Sequence, residues 1–265
     1  MLHIMKIAII QSGIEWENPE SNLLKTGNLI KRSLPAEGCD LIILPEMFTT
    51  GFTMRSADLS EKMDGKTVSW MISVAQEYNS AVAGSIIIGE DNRFFNRLLF
   101  VRPDTTVSWY DKVHLFSLGG ENENYSRGDR HLTENFRGFN IEFQICYDLR
   151  FPVWSRNVNN RYDILINVAN WPEARKMVWK TLLAARAIEN QCWVAGVNRI
   201  GVDGSGIFYS GDSMIINPRG EVVASIEPYR EGVAEYDLPV SELVEFREKF
   251  PVWKDSDGFE LKSIL

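Results

Sequence analysis

Short, unbroken apolar runs separated by segments of helical period set the strongest limit on how this 265-residue chain can fold. Ile7 to Ile10, Leu41 to Leu44 and Asp163 to Val168 are too short for helices and lack polar alternation, which marks strands covered on both faces. Between the first two runs, Asn18-Pro19 offers an N-cap followed by proline at the first helical position. Leu23, Leu24, Ile30 and Leu34 then recur at near-helical spacing up to Pro35. The alternation continues with a helix over 68–78 and a strand over 81–89. Strands over 94–101 and 105–110 follow, joined by turn-forming Pro103-Asp104. Ser117 to Arg130 reads as irregular. Phe139 to Ile145 is a strand that stops at Cys146, 174–190 is a helix, and strands are expected over 192–197, 213–216, 222–226 and 233–236. Met1 to Gln11 is read as the first strand.

No linker, low-complexity tract or repeat interrupts this series. The expected assembly is therefore α/β: two packed sheets flanked by helices, in one domain spanning 1–265. Residues 239–265, with Trp253 and Phe259, are expected to pack as a tail on the body or on a second subunit.

Charge and cysteine content narrow the function classes. Lys and Arg number 28 against 36 Asp and Glu, and a net charge of −8 argues against nucleic acid or an anionic membrane as partner. No stretch reaches the roughly 20 apolar residues a bilayer demands. Three cysteines, Cys39, Cys146 and Cys192, cannot form a disulfide framework, which suits a reducing, cytoplasmic setting. His3, His114 and His131 have no metal-ligand spacing, so no metal is expected. Gly201 to Gly206 follows Asn198-Arg199 without opening a helix, so it reads as a turn rather than a phosphate loop, and no cofactor is expected.

Three residues stand where chemistry is made. Cys146 sits at a strand-to-turn elbow, with Pro152 able to begin a helix; such an elbow can expose a thiol beside backbone N–H groups, although a free cysteine is commonly a small core hydrophobe. Cys39 and Cys192 have no such setting and are read as core. Glu46 ends the run Leu41 to Pro45 at the C-terminal edge of a strand, where it can shuttle protons or simply cap a turn. Lys112 closes another strand among Trp109, Tyr110 and Phe116, where its ammonium can face developing negative charge or lie in solvent. A Cys-His protease arrangement is disfavoured, because no His has an orienting Asn or Asp context.

Leu44-Pro45-Glu46, Asp111-Lys112 with His114-Leu115-Phe116, and Cys146-Tyr147-Asp148-Leu149-Arg150-Phe151-Pro152 together resemble the three catalytic blocks of the nitrilase superfamily of carbon-nitrogen hydrolases. The resemblance extends to Asn170-Trp171-Pro172, Arg186 to Asn190 and Gly211-Asp212-Ser213. Within the superfamily, Cys146 to Trp154 and Arg247 to Pro251 are most similar to the omega-amidase branch. The resemblance implies a four-layer αββα sandwich, with Glu46 as general base, Lys112 as stabiliser of the tetrahedral intermediate and Cys146 as nucleophile. It also implies a second, supporting glutamate before Tyr125 and Gly128; Glu121 is the choice and Glu123 the competitor. A backbone N–H at Tyr147 would share the oxyanion.

The branch implies a small-molecule amide substrate, the omega-amide of a short 2-oxo dicarboxylic acid such as 2-oxoglutaramate or 2-oxosuccinamate. Other aliphatic amides, N-carbamoyl compounds and nitriles are the alternatives, and an inactive association scaffold a further one. Phe48, Phe116 and Trp171 would wall the pocket, and Arg150 is a candidate for the substrate carboxylate, with a structural salt bridge as its alternative. The resemblance also implies a homodimer.

Overall fold

The computed structural model describes residues 4–35 and 38–261. Met1 to His3 of the expected first strand, and the last four residues of the expected tail, lie outside the described residues. In chain order the elements are β1 (Ile4–Gln11), α1 (Pro19–Ser33), β2 (Leu41–Ile43), α2 (Ser56–Leu59), α3 (Lys66–Glu77), β3 (Ala81–Glu90), β4 (Arg93–Val101), β5 (Val107–Asp111) and α4 (Glu121–Asn124). They continue with β6 (Thr133–Phe136), β7 (Phe139–Ile145), β8 (Ile164–Ala169), α5 (Lys176–Asn190), β9 (Trp193–Asn198), β10 (Ile200–Val202) and β11 (Phe208–Ser210). The last are β12 (Met214–Ile216), β13 (Val222–Ser225), β14 (Gly232–Pro239) and α6 (Val240–Lys249).

Two six-stranded mixed sheets form, in the orders β14-β1-β2-β3-β4-β5 and β13-β12-β9-β8-β7-β6. Each has three parallel strands at its centre, β1, β2 and β3 in one and β7, β8 and β9 in the other. Antiparallel neighbours flank both sets. The central runs are apolar on both faces because both faces are covered.

Side chains of successive strand residues alternate between the faces. Ile7, Ile9, Leu41 and Ile43 of the first sheet meet Ile141, Phe143, Ile164 and Ile166 of the second in a shared inter-sheet core. The alternate set, Ala8, Ile10, Ile42 and Val82, packs on Leu23, Ile30, Val68 and Met71 of α1 and α3. Leu165, Val194 and Ile216 pack on Trp179, Leu183 and Ala187 of α5. The layers thus run helix, sheet, sheet, helix, the expected αββα order. Gly196 is required at that last contact, because a Cβ there would lie 2.3 Å from Leu183 Cδ1.

Asn18 caps α1 as its sequence suggests, its side chain accepting from Ser21 N at 3.2 Å with Pro19 opening the helix. Two local expectations are corrected. The turn after β7 is a 3-10 turn that begins at Cys146 itself and ends at Arg150, so Pro152 follows a helical turn instead of starting one. Residues 200–210 form a hairpin, β10 with β11, rather than a bare turn. In the tail, Leu243 of α6 joins the inter-sheet core, and Arg247 donates to Asp163 Oδ1 at 2.7 Å. No helix among the described residues is long and apolar enough to cross a membrane.

Candidate active site

The parallel strands of both sheets deliver their C-terminal ends to one cavity of about 410 Å³. Glu46 follows β2, Lys112 follows β5, Cys146 follows β7 and Asn170 follows β8. Glu46, Lys112 and Glu121 are buried together. Lys112 Nζ donates to Glu46 Oε1 at 3.0 Å and lies 2.9 and 3.0 Å from the two Glu121 oxygens. Asn96 Nδ2 bridges the same carboxylates, at 2.8 Å from Glu46 Oε1 and 3.3 Å from Glu121 Oε1. The remaining Glu46 oxygen accepts from Asn170 N at 2.6 Å, and Asn170 Nδ2 donates to the Glu46 carbonyl at 2.6 Å. Phe116 N holds the second Glu121 oxygen at 2.6 Å. Glu123, the competitor for the supporting position, is exposed two residues further along the same short helix and takes no part.

An ammonium has three N–H donors. Two are committed to Glu46 and Glu121, which leaves one for a group entering the cavity. Burial works to lower the Lys112 pKa, but Glu121 and then Glu46 outweigh it and hold the ammonium above its ordinary value. Glu121 is shifted upward, by burial first and by the nearby Glu46 charge, with Lys112 acting in the opposite sense.

Cys146 begins its 3-10 turn at φ +46°, a left-handed conformation that costs a non-glycine residue on the order of 1 kcal/mol or more. It is the least buried of the three cysteines. Burial raises the thiol pKa well above its ordinary value. The nearby Glu46 charge raises it further, and Lys112 opposes both. The Asn170 carbonyl accepts from the thiol at a long 4.0 Å. Tyr147 N–H lies in the first turn, where no acceptor exists within the turn itself.

What holds the elbow is Asp148, a buried carboxylate with four donors. Oδ2 accepts from Ile145 N at 3.0 Å and Tyr110 Oη at 2.8 Å. Oδ1 accepts from His114 N at 2.9 Å and His114 Nδ1 at 2.7 Å. The strand before Cys146 is thereby tied to the segment that follows Lys112. From the other side, Arg186 of α5 donates to Leu149 O at 2.6 Å.

Phe116, Tyr147, Arg150 and Trp171 line the cavity with Cys146 and Lys112. Phe48 does not. It is fully buried in the outer core, 5.8 Å from the Trp70 ring, because the turn after Glu46 directs it toward Gly84 and α3. Phe52 supplies the cavity wall instead, with its ring 5.1 Å from Lys112 Nζ. Arg150 lies over the Trp171 ring at 5.0 Å and, among the described residues, has no carboxylate partner, so the salt-bridge alternative is not what the structure shows.

Asn96, Phe52 and Arg175 join the site unexpected from the sequence, and residues 201–206, expected as a turn, reach it as part of the β10–β11 hairpin. Asn96 had a signal: with Arg97 it interrupts the apolar residues of β4, where a buried polar side chain must find partners. The other three are brought in by loop geometry and carried none.

This fold and site define a carbon-nitrogen hydrolase: the carbon-nitrogen hydrolase family model matches residues 6–248, and the chain belongs to that family, within the nitrilase superfamily. Among its relatives, omega-amidase YafV of Escherichia coli K12 is 44% identical, covering 97% of this chain and 98% of that one. The 2-oxoglutaramate amidase of Bacillus subtilis is 33% identical, covering 94% and 96%. In structure, XC1258 of Xanthomonas campestris, a CN-hydrolase superfamily protein with an arsenic adduct in its active site, superposes with a TM-score of 0.95 at 40% identity, covering 98% and 100% of the two chains. Saccharomyces cerevisiae Nit3 shares the fold at a TM-score of 0.85 and 23% identity, covering 94% and 95%.

Proposed function

We propose that this protein is an omega-amidase that hydrolyses the terminal carboxamide of a short 2-oxo dicarboxylic acid through a thioester on Cys146, releasing ammonia. The observation that carries the reading is the buried Glu46–Lys112–Glu121 cluster in the cavity that Cys146 also lines, in a chain so similar to an omega-amidase and a 2-oxoglutaramate amidase.

Because the thiol pKa is raised, the resting enzyme holds a neutral thiol, and proton loss accompanies attack. Glu46 accepts the proton as Sγ bonds to the amide carbon. The oxyanion that forms faces the third Lys112 N–H and Tyr147 N–H. Glu46 then protonates the departing nitrogen, since an amide anion does not leave, and ammonia is released with the thioester in place. In the second half Glu46 takes a proton from water as it attacks the thioester. The thiolate expelled on collapse recovers that proton. Glu121 keeps Lys112 charged and aimed throughout.

The test is a panel of omega-amides, neutral amides, N-carbamoyl compounds and nitriles, with the acyl-enzyme mass read for each. Ammonia from the 2-oxo omega-amides, with an adduct lost in Cys146→Ala, is expected. Preference for neutral amides, or ammonia accompanied by carbon dioxide from carbamoyl compounds, would overturn the substrate. Full turnover by Cys146→Ala would overturn the mechanism.

A further inference from the structure

An anionic substrate meets an unfavourable field here. The chain carries a net charge of −8, and the catalytic cluster holds two carboxylates against one ammonium. Cations must therefore be supplied at the cavity itself, and two of the four lining it are already neutralised. Lys112 is shared by Glu46 and Glu121, and Arg55 is paired with Glu17 at 2.8 Å and Asp58 at 3.0 Å. The cavity's other carboxylate, Asp203, is also occupied: it accepts from Ser205 N, Ile207 N and Tyr209 Oη at 2.8 to 3.0 Å. Among the described residues it forms no ion pair with Arg150 or Arg175.

Two guanidinium groups remain. Arg150 belongs to the Cys146 turn. Arg175 closes the 3-10 turn Glu173–Arg175 and lines the same cavity. Its backbone carbonyl is fixed by Trp171 Nε1 at 2.9 Å, and its guanidinium lies 5.5 Å from the Phe116 ring centre, with no carboxylate partner among the described residues. Phe116 in turn is tethered through its own N–H to Glu121 at 2.6 Å. The aromatic ring that carries Arg175 is thus registered to the same carboxylate that orients Lys112.

We infer that Arg175 is a specificity-determining residue that binds the substrate carboxylate distal to the scissile amide, from the exposed rim of the cavity. This rests on the omega-amidase reading above. A planar guanidinium held by an aromatic face is preorganised for two parallel N–H···O bonds to a carboxylate, and a lysine supplies only a point charge. The role is positioning and selection: Arg175 takes no proton in the reaction.

The test compares kcat/KM for a 2-oxo omega-amide with that for a neutral amide of equal length, in wild type, Arg175→Met and Arg175→Lys. A charge-assisted hydrogen-bond pair is worth about 10- to 100-fold in affinity, so the anionic-to-neutral ratio should fall by about that factor in Arg175→Met, chiefly through KM, with Arg175→Lys between. A second measurement needs no turnover: glutarate, a C5 dicarboxylate, should protect Cys146 from alkylation, and the half-protecting concentration should rise by a similar factor in Arg175→Met. An unmoved ratio together with unmoved protection overturns the assignment. An equal loss on both amides also overturns it, since that is damage to the scaffold. If wild type hydrolyses no anionic amide while glutarate protection still depends on Arg175, the omega-amidase reading fails and the carboxylate site stands.

Discussion

Replacing Asp148 with Asn keeps the size of the side chain and removes half of what it accepts. Four donors converge on the carboxylate, two on each oxygen, at 2.7 to 3.0 Å. In Asp148→Asn one oxygen becomes an NH2 group that can only donate. If the amide nitrogen takes the Oδ2 position, Ile145 N–H faces another donor and is stranded. Tyr110 could rotate to accept, but its oxygen already receives Trp154 Nε1 at 3.2 Å. The opposite orientation strands the His114 backbone N–H. At least one buried donor is therefore left unpaired, at about 1–3 kcal/mol, and the surviving bonds lose their charge assistance, so a total near 2–4 kcal/mol is expected. For a chain of this size that corresponds to a melting temperature roughly 5–15 °C lower. Ile145 immediately precedes Cys146, whose left-handed backbone depends on this anchor, and a displacement near 1 Å at a nucleophile costs about 10²-fold. The assay is kcat and KM on the folded variant below its melting transition, with the rate of Cys146 alkylation as a second probe. A kcat fall near that size with little change in KM is expected. An Asp148→Asn enzyme with wild-type melting, or one that melts early yet keeps full kcat, would refute the anchoring argument.

Two further outcomes follow from the electrostatics. Lys112→Ala should lose at least about 10²–10³ in kcat by removing an oxyanion donor, and about 3–5 kcal/mol of stability by leaving Glu46 and Glu121 buried without their cation; near-normal turnover in a folded Lys112→Ala would remove it from the mechanism. Because the Cys146 thiol is held protonated by burial and by Glu46, its alkylation by iodoacetamide in the substrate-free enzyme should keep rising beyond pH 9, and a plateau already reached at neutral pH would refute the neutral resting thiol. Cys39 behaves in the same sense for stability: burial pushes its thiol up to about 12, against about 8.5 in an unfolded chain, so its contribution is complete below the unfolded value and lost as pH climbs toward the folded one. Denaturant midpoints measured on either side of pH 9 should fall on the alkaline side in wild type and fall less in Cys39→Ala.

The layers were legible because the two faces of each central strand have to be covered, which leaves uninterrupted apolar runs such as Leu41 to Leu44, and because Asn18-Pro19 states where a helix starts. The proposed catalytic trio was legible because Glu46, Lys112 and Cys146 each follow a strand end and because the three blocks that hold them resemble those of the nitrilase superfamily. Phe48 shows where that reasoning stops. Two residues past Glu46 the chain turns, with Met47 at φ +42°, and which side chain faces the cavity is decided by that turn and not by periodicity. Phe52 and Phe48 are equivalent by type, and only the packing of Gly84 and Trp70 separates them. Asp148 was visible as a residue of the cysteine block, but its work depends on Tyr110 and His114, whose proximity follows from sheet-on-sheet packing across more than thirty positions of sequence.

The same packing explains why the proposed nucleophile and base come from different sheets. Glu46 and Lys112 stand at strand ends of the first sheet, Cys146 and Asn170 at strand ends of the second, and the first sheet's β5 runs parallel to β3 because two antiparallel steps, through β4, intervene. All four residues therefore emerge on one edge of the sandwich. A base placed on the same strand as the nucleophile would be carried along with any local distortion of that strand. Here the distance between thiol and carboxylate is fixed by the inter-sheet core of Ile43, Ile145 and Val168, which lie directly behind the site. Large-to-small substitution of such a residue opens a cavity that the two sheets can close only by shifting relative to one another. The strand ends would move with them, so the core that stabilises the fold also sets the reach of Glu46 to Cys146.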